Sequence, residues 1–107
     1  MTRLWRVRER ATFAALRRVG VRRRVGPLTV TVLPLEVSSG VSPRTAVAFA
    51  IGTPVGTAAV RNRLRRRLRA AIADIDPGAG TYLISVGPAA ADLSYQDLRG
   101  LLTEATA

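Results

Sequence analysis

The sequence predicts an α+β fold: a single small domain spanning residues 1–107, with helices packed on a small mixed sheet in the order α-β-β-α-β-α. Three observations carry this. Leu28–Leu33 (LTVTVL) and Thr45–Ile51 (TAVAFAI) alternate in the manner of strands and are rich in β-branched residues. From Val60 onward, apolar residues recur at helical spacing. A third strand-like stretch, TYLISV at residues 81–86, follows that helix, and a strand–helix–strand succession reads as a crossover between parallel strands.

Taken in order, residues 1–10 form a basic N-terminal arm anchored by Leu4, Trp5 and Val7. Trp5 has two uses, packing on the body or stacking on a nucleobase, and packing is the more common. Thr12 is positioned to cap a short helix that runs to Val19 and stops at Gly20. Phe13 and Leu16 share a face of it. Arg22, Arg23 and Arg24 read as a turn leading to Gly26-Pro27. In the first strand Leu28, Val30 and Val32 face one side, and Thr29 and Thr31 face the other, as solvent-facing threonines by default. Pro34 ends this strand, and residues 34–43 form a loop with Ser38-Ser39-Gly40 at its tip. In the second strand Val47, Phe49 and Ile51 alternate with Ala46, Ala48 and Ala50, and the alanine side suggests close packing by another layer. Consecutive strands are usually neighbours, so these two are expected to pair antiparallel. Asp74, Asp76, Pro77 and Gly78 close the long helix, with the acids just beyond its end, since a carboxylate there opposes the helix dipole. Gly87-Pro88 ends the third strand. Ser94 and Asp97 have the spacing of a capping box for a last helix that turns Leu98, Leu101, Leu102 and Ala105 inward.

The long helix is the most informative stretch. On a helical projection Val60, Leu64, Leu68, Ala71, Ile72 and Ile75 fall within one sector, the width of a core-facing stripe. Asn62, Arg65, Arg66 and Arg69 lie opposite, with Arg61, Arg63 and Arg67 on the flanks. Six arginines occur in the nine residues 61–69, with no acid among them. Arg61, Arg65 and Arg69 form an i,i+4 row of like charges, each pair costing a few tenths of a kcal/mol. A polyanion relieves this repulsion, because neutralised phosphates release counterions and guanidinium donates to them two bonds at once. The helix N-terminus at Gly56-Thr57 offers further N–H donors, which a Thr57 cap would also satisfy.

Charge elsewhere agrees. The net charge is +10, and all 17 basic residues are arginine. Residues 1–24 carry +8 and residues 44–69 carry +7, whereas residues 70–107 carry −4. This asymmetry points to a polyanion first and a membrane surface second. The longest apolar run, residues 46–51, is six residues, far short of a membrane span. The N-terminus lacks the apolar segment of a secretion signal, so a cytoplasmic location is expected. There is no cysteine and no histidine. That removes disulfides, thiolate nucleophiles, histidine triads and the usual general base at neutral pH. Asp74 with Asp76 is the only close carboxylate pair, too few for a metal-dependent nuclease. Neither a catalytic nor a metal-binding residue is expected in this chain.

The string Gly56-Thr57-Ala58-Ala59-Val60-Arg61-Asn62-Arg63-Leu64-Arg65-Arg66-Arg67-Leu68-Arg69 resembles the signature of the bacterial ribonuclease P protein component family. Phe13 seven residues before Gly20, the stretch from Tyr82 to Pro88, and Leu93-Ser94-Tyr95 are similar to its flanking elements. The resemblance implies a left-handed crossover, against the general right-handed rule. It also implies a protein subunit of ribonuclease P whose partner, the ribonuclease P RNA, carries the active site and its Mg²⁺. No cofactor held by the protein itself is expected, no membrane is involved, and no protein partner is implied. Arg61, Asn62, Arg63, Arg65, Arg66 and Arg69 would contact that RNA, with Asn62 orienting neighbouring arginines or bonding a phosphate. Phe13, Arg17 and Thr31 would line a cleft for the 5′ leader of precursor tRNA. The family pattern has a Ser-Lys-Lys type of segment at Gly52-Thr53-Pro54, aromatics at Arg17 and Thr31, and an arginine at Gly87. Arg17, Arg22 and Arg23 are the cations available to compensate. The residues alone leave open a non-catalytic RNA-binding protein of the ribosome-associated type on a similar fold.

Overall fold

In the computed structural model the described residues are 3–33 and 44–107; the expected loop at 34–43 lies outside them. The elements are β1 (Leu4–Arg6), α1 (Arg10–Val19), β2 (Val21–Val25), β3 (Leu28–Leu33), β4 (Thr45–Ile51), α2 (Ala58–Ile75), β5 (Gly80–Val86) and α3 (Tyr95–Thr106), with short 3-10 turns at Thr53–Val55 and Pro88–Asp92. All the helices and strands expected from the sequence are present, and two further strands join them.

The five strands form one sheet in the order β1-β4-β5-β3-β2. β4 and β5 are parallel neighbours, as the crossover through α2 requires. β3 and β4 do not pair, contrary to expectation: β5 lies between them, antiparallel to β3. The physical reason is burial. In the middle of the sheet both edges of β5 find hydrogen-bond partners, and its Tyr82 and Ile84 reach the core centre.

The two additional strands are the sheet's edges. β1 pairs parallel with β4, Leu4 opposite Thr45. Arg22 to Arg24 are not a turn: they belong to β2, paired antiparallel with β3 from Val21 opposite Val32 to Val25 opposite Leu28. The turn is Gly26-Pro27 alone, where Gly26 has a φ of +57°.

One sheet face is packed. Leu28, Val30, Val47, Ile51, Tyr82 and Ile84 meet Leu64, Leu68, Ala71 and Ile72 of α2 and Leu98, Leu102 and Ala105 of α3 in a single buried cluster. The predicted stripe of α2 is this contact, with Val60 and Ile75 partly buried at its ends. Leu101 packs against the cluster partly buried. The caps follow the chemistry read from the sequence. Thr57 accepts from the Val60 amide at 3.3 Å, and Ser94 with Asp97 forms a complete capping box. Asp76 is the α2 C-cap in a left-handed conformation, but Asp74 lies inside the last turn rather than beyond it. Its cost against the dipole is offset by a 2.6 Å ion pair with Arg99 of α3.

The other face is open over much of its area. It carries the alanines of β4, with Ala46 and Ala48 half-buried and Ala50 exposed. The small side chains therefore do not mark a tightly covered layer; they make a shallow floor. α1 meets this face at β3. There Thr31 is only 3% exposed, so it is a buried contact rather than a solvent-facing threonine. Glu9, not Thr12, is the N-cap position of α1, and its side chain makes no cap bond. Gly20 ends α1 in an extended conformation. Its glycine is required by proximity: a Cβ there would stand 2.4 Å from the Leu16 carbonyl oxygen and 2.6 Å from the Thr31 Cγ2.

Candidate nucleic-acid interface

α2 presents the predicted arginines on the side away from the sheet. Asn62, Arg63 and Arg66 are exposed, and Arg61, Arg65, Arg67 and Arg69 are half-buried. The Arg65 Nη1 donates to the Asn62 Oδ1 at 2.8 Å, so Asn62 holds a neighbouring guanidinium in place. Arg67 donates to the Leu93 carbonyl at 3.3 Å and Arg69 to the Leu4 carbonyl at 3.5 Å. Arg69 thus ties α2 to the edge strand β1. The Arg61 Nε is buried with no hydrogen-bond partner among the described residues. Among those residues the one salt bridge is Asp74–Arg99, so none of the arginines from 61 to 69 is neutralised by a carboxylate.

Phe13 is half-buried and Arg17 exposed, both on α1. Phe13 stands outside the main core cluster, whereas Leu16 is fully buried. Thr31 lies on the open sheet face but is buried there, close to where α1 ends. The α2 arginines and the α1–sheet residues are thus separate groups: one lies on the outer arc of a helix, the other on the opposite face of the sheet.

The pairing of β2 exposes what the sequence concealed. Arg22 is opposite Thr31 and Arg24 opposite Thr29, while Arg23 is opposite Val30 of the packed face. Arg22 and Arg24 therefore stand on the open face, and Arg23 on the other side, where it donates to the Ala107 carbonyl at 2.9 Å. Of Arg22 and Arg23, only the former borders the floor. The sequence offers little signal for this strand, because three consecutive arginines between Val21 and Val25 show no apolar–polar alternation. At the far edge Trp5, opposite Ala46, is 38% exposed. The guanidinium groups of Arg3 and Arg44 each lie 4.6 Å from its ring centroid, a distance suited to cation–π attraction. The ring so occupied packs on its own chain's cations.

One titratable group is displaced. Burial, with the Asp76 carboxylate nearby, raises the Tyr82 phenol above its ordinary value of 10.0. Its hydroxyl is within 3.0 Å of both the Pro77 and Gly78 carbonyls, fastening the turn after α2. No helix among the described residues is long and apolar enough to cross a membrane.

A helix with an acid-free guanidinium arc, mounted on a mixed sheet whose second face is left open, defines a small basic RNA-binding α+β protein. The same architecture occurs in solved structures. The ribonuclease P protein of Staphylococcus aureus superposes with a TM-score of 0.80 at 14% identity, covering 94% of this chain and 91% of that one. That of Thermotoga maritima gives 0.77 at 16% identity, covering 92% of each. A family model described as ribonuclease P matches residues 1–107. The ribonuclease P protein component of Acidothermus cellulolyticus is 36% identical over 97 residues, 88% of this chain and 78% of that one. Its counterpart in Symbiobacterium thermophilum is 33% identical over 107 residues, 97% and 90% of the two chains. The chain belongs to the ribonuclease P protein component family. It is accordingly the protein subunit of an endoribonuclease that matures the 5′ end of tRNA, and its partnership is with ribonuclease P RNA.

Proposed function

We propose that the outer arc of α2 is the surface that binds the ribonuclease P RNA, through Arg61, Arg63, Arg65, Arg66 and Arg69, with Asn62 setting the Arg65 guanidinium. The observation that carries this is the absence of any carboxylate partner for these cations among the described residues, combined with a buried opposite stripe that fixes the helix rigidly. The open sheet face beside α1 takes the 5′ leader of precursor tRNA, with Phe13 and Arg17 on its helical wall and Thr31 supporting that wall from below. Hydrolysis belongs to the RNA partner and to Mg²⁺ held by it. The protein supplies cations and a preorganised surface, needs no cofactor of its own, and works in the cytoplasm, where precursor tRNA is made.

Reconstitution tests this. The chain is mixed with the ribonuclease P RNA of its own source at low Mg²⁺, and cleavage of a precursor tRNA is followed. Cleavage that requires both components is the expected result. Tight RNA binding that never stimulates cleavage would overturn it in favour of a general RNA-binding role. The affinity for the RNA should also fall steeply with salt. Five phosphate contacts, one for each of these arginines, give a log–log slope of about −4.5, and a slope near zero would remove the phosphate role from these arginines.

A further inference from the structure

We propose that Arg22 and Arg24 form a phosphate rail along the β2 edge of the open sheet face, holding single-stranded RNA, the 5′ leader, by its backbone rather than by its bases. The proposal rests on the leader reading above and adds the residues and the mode of recognition. The argument begins with register. Val21, Arg23 and Val25 oppose Val32, Val30 and Leu28, which all face the helices, so Arg22 and Arg24 alone of β2 turn their side chains to the open side. Residues two apart on a strand are about 7 Å apart along it, comparable with the step between successive phosphates of an extended single strand. Both arginines are exposed, and neither is paired with a carboxylate among the described residues.

The floor beside them agrees. Across the sheet, Arg24 is in line with Thr29, Ser85 and Ala50. Thr29 and Ser85 are half-buried and Ala50 is exposed. This row offers hydroxyls and a methyl but no aromatic ring on which a base would stack, and no acid to repel a phosphate. Stacking gives affinity that is tolerant of sequence but depends on a ring; Phe13 on α1 and Trp5 at the far edge lie outside this row, and beside Arg24 charge-assisted bonds to phosphate remain. Exposed charges on an edge strand also discourage strand addition. That role would be met equally by Arg23, which instead bonds the Ala107 carbonyl on the opposite side. Arg23 is therefore an internal control within the same strand.

The experiment uses the holoenzyme assembled with its RNA. Binding is measured for precursor tRNA with a long leader and for mature tRNA, with the wild-type protein, R22A/R24A, R22K/R24K and R23A, after melting curves and affinity for the ribonuclease P RNA have been compared. For R22A/R24A, the expected result is a loss on the order of tenfold for the long-leader precursor, with mature tRNA and assembly unchanged. The salt slope for leader binding should become shallower by about 1.4, the value for two single-strand contacts. R22K/R24K should restore that slope, R23A should behave as wild type, and purine and pyrimidine leaders should bind alike to the wild type. Equal losses for R23A and R22A/R24A, a loss shared by mature tRNA, or a loss confined to assembly with the catalytic RNA would each overturn the rail. A wild-type enzyme that does not distinguish precursor from mature tRNA would instead overturn the leader reading itself. Retention of that distinction by R22A/R24A would overturn only the rail.

Discussion

The two faces of the sheet differ in what they ask of their residues. The packed face is made of large apolar side chains from β3, β4 and β5 locked against α2 and α3. The open face uses mostly alanine, threonine and serine at the intervening positions, with Leu33 and Leu83 among them and arginines at its edges. On one face, large side chains stabilise the fold; on the other, smaller side chains leave the part away from α1 less covered. The same strands carry both, because successive residues alternate between the faces. Substitutions on the first should therefore be read out in stability, and on the second in RNA binding.

The largest effect is expected at Leu68, which is fully buried in the packed face. Leu68→Ala should lower unfolding free energy by about 2–5 kcal/mol, measured by denaturant melting; an unchanged midpoint would mean that α2 presents the opposite side to the sheet. Gly20→Ala attacks the other face where α1 packs on it. The added methyl meets backbone and a buried threonine, and the cost should be about 1–3 kcal/mol. Failure of this substitution to destabilise would show that α1 lifts off the sheet without penalty.

Tyr82 sharpens the comparison by pH. Its phenol has a raised pKa in the folded state, so its contribution is fully present below the unfolded value near 10.0 and is lost as pH rises through the folded one. Stability should decline on the alkaline side, and Tyr82→Phe should abolish that part of the decline while losing the bond to the Pro77–Gly78 turn. Equal alkaline slopes in the two proteins would remove Tyr82 from the account. The smallest effect belongs to the Asp74–Arg99 pair, whose side chains are 45% and 42% exposed. Arg99→Ala should change stability by no more than about 1 kcal/mol, and a larger loss would reveal a structural role for the α2–α3 contact beyond solvent-screened attraction.

Much of the packed face could be read from the amino-acid order, since it rests on local rules. The α2 stripe, the Thr57 cap and the Ser94–Asp97 box each depend on spacings of three or four residues. The edges of the open face depended on strand pairing rather than on a residue pattern. β1 is three residues long and is a strand because β4 lies beside it. β2 contains three arginines and is a strand because β3 holds it in register. The neighbour of β3 was misjudged for a related reason: adjacency in sequence favours β4, but only β5, arriving after α2, can complete the hydrogen bonding of both. Of the site, the arginines of α2 were visible as a local pattern. The division of Arg22 and Arg24 from Arg23 was not, because it requires a register.

The central position of β5 has a consequence for synthesis on the ribosome. β3 and β4 leave the exit tunnel before β5, yet they do not pair with each other; each waits for residues 80–86 to fill the place between them. A nascent chain that stops after α2 has a β2–β3 hairpin, a separate β1–β4 pair and an unpacked helix rich in arginine, with no central strand to join them. The domain must therefore assemble late, in one concerted closure around β5. Until then its cationic helix is exposed beside the ribosome's own RNA, and pausing of translation between α2 and β5 would lengthen that exposure.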